Sequence, residues 1–231
     1  MSMRRFSILF KVSRTTVKRK VEFLAQEARK SQEKWLKSQP EPFRLVQLDD
    51  LETFEHTKCK PLTISLFIEP RRSKILGFKV SRIGAKGKLT QISRKKYGKR
   101  PNESFKKREE LFKEIKPYIC ENVIIKSDKN PHYIKPIKKH FPNCKHKVFK
   151  GKKSSTTGYG ELKKTGFDPL FGINQGFGML RDNLKRLSRR SWCTTKKLEA
   201  LEDQLAIYVD FHNQFLKADR KKRTNRKKKA S

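Results

Sequence analysis

Two aspartates, Asp49 and Asp128, each close a run of strand-forming residues: Phe43-Arg44-Leu45-Val46-Gln47-Leu48 before the first and Asn122-Val123-Ile124-Ile125-Lys126-Ser127 before the second. Carboxylates gathered at strand ends are suited to holding hard divalent cations through oxygen. The same chain carries 59 Lys and Arg against 23 Asp and Glu, a formal net charge of +36, so its surface favours a polyanionic partner. Few proteins need clustered carboxylates and an excess of cations together. Phosphodiester chemistry does, because the polyanion must be attracted while a metal ion is held against it. Charge alone equally fits a basic structural protein that binds RNA.

The elements that must position these aspartates follow from periodicity. At 231 residues, with 34% hydrophobic content and sixteen Phe, the chain has core material for one domain and a small appendage. Strand patterns at 43–49, 62–69 and 74–82 follow one another through short connections, which makes them an antiparallel meander. A Gly- and Lys-rich loop is expected over 83–101. A helix follows at 104–116 on Phe105, Leu111, Phe112 and Ile115, then the strand ending at Asp128, a helix near 131–140, a short strand near 146–149 and a basic loop at 150–160. The last helix repeats Leu198, Leu201, Leu205, Tyr208 and Val209 on one face, with Thr194 and Thr195 as candidate caps. A helical crossover between the meander and the fourth strand allows strands one and four to pair in parallel. Asp49 and Asp128 would then meet at strand C-termini, where open α/β sheets place their ligands. Asp50 competes with Asp49, since alternation sends the two to opposite faces.

Ahead of this domain, residues 2–10 read as a short helix and Ser13 as the N-cap of a longer one starting at Arg14, with Val17, Val21, Leu24 and Ala28 as its apolar stripe. The pair has a helix-turn-helix outline, and Arg14, Thr15, Lys18 and Arg19 stand where such a helix touches base edges and phosphates. The other reading is a basic amphipathic helix that only packs on its neighbour. The expected organisation is a helix-turn-helix remnant over 1–36, a linker over 37–42, a main domain over 43–215 and a disordered basic tail over 216–231. The cysteines at 59, 120, 144 and 193 form no Cys-x-x-Cys pair, so neither a zinc ribbon nor a disulfide framework is indicated. No apolar run has the length of a membrane span and no secretory signal core opens the chain, so a cytoplasmic location is expected.

The order of strands and helices, with one Asp on the first strand and one on the fourth, resembles the RNase H-like catalytic core of DDE transposases and integrases. The fold class expected is therefore α/β: a mixed sheet of three antiparallel strands followed by strands alternating with helices. Residues 173–213 look like the closing segment of bacterial insertion-sequence transposases of the IS-one type, through Leu180-Arg181, Arg186-Leu187-Ser188-Arg189-Arg190-Ser191, Thr195-Lys196 and His212-Asn213. The resemblance covers about residues 43–215. It implies metal-assisted DNA strand cleavage and transfer, with two Mg²⁺ or Mn²⁺ ions about 4 Å apart. Asp49 would bridge the ions, Asp128 would hold one, and the third position, usually Glu in the family, falls on Asn174. An Asn carbonyl binds such ions without contributing charge. Glu161 is the alternative third ligand. Arg181, Lys185, Arg189 and Arg190 would grip duplex DNA, and synapsis of two element ends implies a homo-oligomer acting in the bacterial nucleoid. A degenerate or truncated transposase that binds DNA without cutting it is the alternative within the same resemblance.

Overall fold

The computed structural model describes residues 3–150, 168–187 and 194–215. Expectations for Glu161, Arg189, Arg190, most of the 150–160 loop and the basic tail concern residues outside that set.

Five strands form one mixed sheet: β1 (Phe43–Phe54), β2 (Pro61–Glu69), β3 (Lys74–Arg82), β4 (Ile119–Asp128) and β5 (Lys145–Phe149), in the order β3-β2-β1-β4-β5. The first three are an antiparallel meander, while β4 pairs parallel to β1 and β5 parallel to β4. This order, with β1 central, is consistent with an RNase H-like sheet. Seven α-helices accompany it among the described residues: α1 (Met3–Leu9), α2 (Arg14–Lys37), α3 (Leu89–Tyr97), α4 (Ser104–Ile115), α5 (Pro131–His140), α6 (Phe171–Asn183) and α7 (Leu198–Gln214). None of them is long and apolar enough to cross a membrane.

Alternation along the strands feeds two cores, one on each side of the sheet. On one side Leu51, Ile64, Leu66 and Ile68 meet Ile173, Phe177 and Leu180 of α6 and Leu201, Leu205 and Val209 of α7. On the other, Val46, Leu48, Phe67 and Ile125 meet Leu111, Phe112 and Ile115 of α4 and Tyr133 and Ile137 of α5. The expected face of α7 is the face it buries.

Four local expectations are corrected. Strand β1 does not stop at Asp49: Leu51 returns to the core, and the hairpin with β2 continues to Phe54 opposite Pro61. The stretch expected as loop over 83–101 contains α3, whose sole buried residue is Ser93; it has no apolar stripe to announce it. On α4, Phe105 is 57% exposed, whereas Arg108 is buried. Neither Thr194 nor Thr195 caps α7, because buried Thr195 instead bridges to Glu55 and its carbonyl accepts from the His56 N–H at 2.8 Å.

The N-terminal pair also differs from its outline. Ser13 does cap α2, its Oγ accepting from the Thr16 N–H at 3.0 Å. Yet α2 runs for 24 residues and buries Val17, Ala25, Ala28 and Leu36, leaving Leu24 45% exposed. Its small residues Ala25 and Ala28 pack on Ala206 of α7, and Leu36 enters the core beside Phe43. The stripe is rotated because the partner is α7, not α1. Helix α2 thereby covers the open edge at β3, where Gln32 Nε2 donates to the carbonyls of Ile75 and Leu76 at 3.0 and 3.2 Å. Covering an edge strand blocks pairing with other chains.

Asn213 completes that seal. Its Oδ1 accepts from the Ile75 N–H at 3.0 Å, and its Nδ2 donates to the Ile75 carbonyl at 2.7 Å and to Gln32 Oε1 at 2.9 Å. The side chain thus stands in for a sixth strand at one residue. Replacing it leaves the buried Ile75 N–H without a partner and its carbonyl with Gln32 alone, so Asn213→Ala is expected to cost about 1–3 kcal/mol of stability, read as a lower midpoint in urea unfolding.

Candidate active site

The parallel register of β1 and β4 fixes the relation between the two aspartates. Pairing runs through Gln47 with Lys126 and ends at Leu48 with Ser127, so Asp49 and Asp128 are the next residues on neighbouring strands. Leu48 faces the α4–α5 core and Leu51 the α6–α7 core. Alternation therefore sends Asp49 and Asp128 toward α6 and Asp50 toward α4. Asp50 indeed accepts from Arg108 Nη2 at 2.7 Å and from Ser65 Oγ at 2.5 Å. Asp49 and Asp50 thus serve opposite faces of the sheet.

Both carboxyls of the pair resist ionisation. Burial pushes Asp49 up to about 7, the neighbouring charge of Asp128 adds to the rise, and the Asp50 N–H donated to its Oδ1 at 2.7 Å opposes it. Burial likewise raises Asp128, against the Asn130 N–H donated to its Oδ1 at 3.2 Å and with the charge of Asp50 acting in the same direction as burial. Beneath them Tyr133 is fully buried, its pKa driven upward by burial and by the surrounding carboxylates. The Arg108 guanidinium lies 4.9 Å from the centre of the Tyr133 ring. This is a desolvated oxygen cluster with one fixed cation on its α4 side.

Helix α6 is clamped to the same strand two residues upstream of Asp49. Gln47, itself buried, accepts the Ile173 N–H on Oε1 at 2.8 Å and donates from Nε2 to the Pro169 carbonyl at 2.9 Å. The approach requires glycine next to Ile173: a Cβ on Gly172 would stand 2.7 Å from Pro70 Cβ and 2.9 Å from Gln47 Oε1. Asn174 follows at once, so the third expected residue is delivered to the end of the sheet that carries the pair. Its side chain is exposed and makes no hydrogen bond to Asp49 or Asp128 among the described residues. Its Nδ2 donates instead to Asp168 Oδ2 at 2.9 Å, which leaves Oδ1, the atom able to bind a hard cation, without a partner among the described residues.

Sequence reading missed two participants. Arg108 sits in the run Lys-Lys-Arg-Glu-Glu, which looks like a solvated helix face. Asp168 precedes a proline at the start of α6, where its Oδ1 accepts the Leu170 N–H at 2.9 Å, and the Asp-Pro pair was the available signal. The expected nucleic-acid residues Arg14, Thr15, Lys18, Arg19 and Lys185 are exposed, Lys18 being paired with Glu22 at 3.2 Å, while Arg181 is partly buried on α6.

Two carboxylates and a carboxamide oxygen are the hard donors Mg²⁺ and Mn²⁺ take, and burial is the main cause of the upward shift of both carboxyls. Among the described residues no group of three or more His, Cys, Asp or Glu is placed to hold a metal ion.

No family model matches the sequence, and no curated protein matches it. Among solved structures, the chain is similar to the catalytic domain of Mos1 mariner transposase at 10% identity, over 82% of this chain and 91% of that one, with a TM-score of 0.24. That value is too low to bear weight, and the fold rests on strand order and register.

Two outcomes follow from the site. Asp49 holds its proton up to about 7 in the fold, against 3.8 for an exposed aspartate, so the native state binds the extra proton between those values. Stability therefore falls as pH rises from about 4 to about 7, and Asp49→Asn flattens that fall in thermal melts across the range. Arg108 and Asp50 form an ion pair with side chains 3% and 14% exposed. Arg108→Met strands the carboxylate and is expected to cost about 3–5 kcal/mol in urea unfolding, with most of the loss recovered when Asp50→Asn is added.

Proposed function

We propose that this chain is a metal-dependent polynucleotidyl transferase of the DDE type that cuts and joins duplex DNA, a transposase of an insertion element with Asn in the third position. The observation that carries this reading is the placement of Asp49 and Asp128 side by side on the face that α6 covers, in a chain of net charge +36. Asp49, Asp128 and Asn174 Oδ1 would hold Mg²⁺ or Mn²⁺, which supplies charge stabilisation at the phosphorus and lowers the pKa of an attacking hydroxyl.

The protein's own part is positional. Gln47 holds the start of α6 against β1, Asp168 orients the Asn174 amide, and Arg108 keeps Asp50 turned away toward α4. Arg14, Thr15, Lys18, Arg19, Arg181, Lys185, Arg189 and Arg190 would contact DNA phosphates, and two protomers would be needed to bring two element ends together. A second reading, a DNA binder without catalysis, is favoured by one observation: Asn174 is hydrogen-bonded to Asp168 and to neither aspartate of the pair.

The test combines binding with chemistry. Mn²⁺ at pH 8 should raise the melting temperature of the wild-type chain and leave Asp49→Asn/Asp128→Asn unmoved, since only an intact site gains from the cation. Mn²⁺-dependent cleavage and joining of element-end duplexes should vanish in the same double variant. Cleavage that survives it would refute the assignment, whereas a cation-dependent melting shift without cleavage would select the non-catalytic reading.

A further inference from the structure

Beyond Asp49, β1 pairs only with β2, in a hairpin whose second strand is also paired with β3. Five residues separate Asp49 from Phe54, about 17 Å at strand rise. Three segments remote in sequence converge on its tip. The first is the turn 55–60 itself. The second is α3, tied to that turn by Ser93 Oγ donating to the Cys59 carbonyl at 2.7 Å and by Lys60 Nζ over the Tyr97 ring at 4.5 Å. The third is the approach to α7, where Thr195 bridges to Glu55 and accepts from His56.

Each segment brings lysines. Lys58, Lys95, Lys96, Lys99, Lys196 and Lys197 are exposed, and none has an ion-pair partner among the described residues. Between residues 84 and 102 there are seven cations and no carboxylate. The acids of this end are already engaged, Glu52 with Lys86, Glu55 with Arg100 at 3.7 Å and Glu199 with Arg82 at 3.9 Å. Cations in the last turn of α3 interact favourably with the helix C-terminus, but that accounts for Lys95 and Lys96 at most, not for lysines from the other two segments. Six exposed lysines without ion-pair partners among the described residues, on segments joined at one tip, repel one another unless an anion joins them.

We propose that the hairpin tip, α3 and residues 196–197 form a docking platform for the phosphate backbone of duplex DNA, distinct from the carboxylate site and displaced from it along β1. The platform reads charge and not base sequence, since lysines act as point charges toward phosphate. At about 3.4 Å per base pair, 17 Å corresponds to about five base pairs, so a duplex seated at Asp49 and running along the hairpin meets the platform half a helical turn away. This deepens the proposed function, and its failure is separable from it because it needs no metal.

The experiment measures binding of a mixed-sequence duplex of about 30 base pairs in EDTA across a salt series. For Lys95→Gln/Lys96→Gln/Lys99→Gln, the slope of log K against log salt should become less steep by about 2.7, three phosphate contacts at about 0.9 each. The control Lys106→Gln/Lys113→Gln/Lys116→Gln, exposed lysines on and just after α4, should leave the slope within about one contact of wild type. Both variants must melt as the wild type does. If either one is destabilised, Lys196→Gln/Lys197→Gln is used, with an expected change of about 1.8. An unchanged slope in the platform variants, equal changes in platform and control variants, or a loss seen with single-stranded RNA and not with the duplex would each overturn the proposal. Asp49→Asn/Asp128→Asn should bind with the full wild-type slope, so loss of cleavage there leaves the platform standing.

Discussion

The arrangement depends on one constraint, the parallel pairing of β1 with β4 in the middle of the sheet. Once Leu48 is opposite Ser127, two carboxyls must follow on adjacent strands and on the same face. Like charges so placed and partly desolvated oppose folding. The neighbourhood is built around that penalty. The hydrophobic cores above and below the sheet hold the register. Backbone N–H groups of Asp50 and Asn130 serve one oxygen on each carboxyl, and the Arg108 guanidinium, whose charge also favours ionised Asp128, is paired with Asp50 on the opposite face. The α6 side of the pair is left without a fixed positive group among the residues whose contacts define it.

The same economy governs the acids elsewhere. They are few in number, and several pair with cations of a neighbouring element: Asp203 with Arg29, Glu109 with Lys139 and His140, Glu114 with Lys79. These pairs tie α2 to α7, α4 to α5 and α4 to β3. Exposed pairs of this kind contribute little stability individually. Their effect is on distribution, since every acid spent on the helical flank leaves unpaired lysine at the hairpin end.

Sequence periodicity revealed what apolar patterning controls. Strands β2 and β3, helix α5 and the buried stripe of α7 were legible because hydrophobic residues recur at the spacing of the element. The parallel pairing of β1 and β4 was legible from the helical crossover between them, and with it the juxtaposition of Asp49 and Asp128. Helix α3 was not, because a helix held by one serine and a cation over a tyrosine has no stripe. The continuation of β1 past two aspartates was hidden for a related reason: residues that usually end strands sit here in a strand that stays paired with β2. Arg108 and Asp168 were obscured because their partners, Asp50 and Asn174, are neighbours only in the folded chain. Of the terminal marks at 212–213, His212 reaches the Ser73 carbonyl at 2.8 Å and Asn213 reaches Ile75, so these residues act in closing the sheet edge, not in chemistry.

That closure has a consequence for the order of events during synthesis. Gln32 and Asn213, which share a hydrogen bond over β3, are 181 residues apart. At ribosomal rates of roughly 5–20 residues per second, α2 and the β3 edge wait about 10–40 s for α7 to emerge. Throughout that interval the meander can assemble while its outer strand remains open to any other nascent chain. Helix α7 thus completes the protection against intermolecular pairing that α2 begins, and a ribosome that stops before residue 213 releases a sheet whose Ile75 N–H lacks its Asn213 partner.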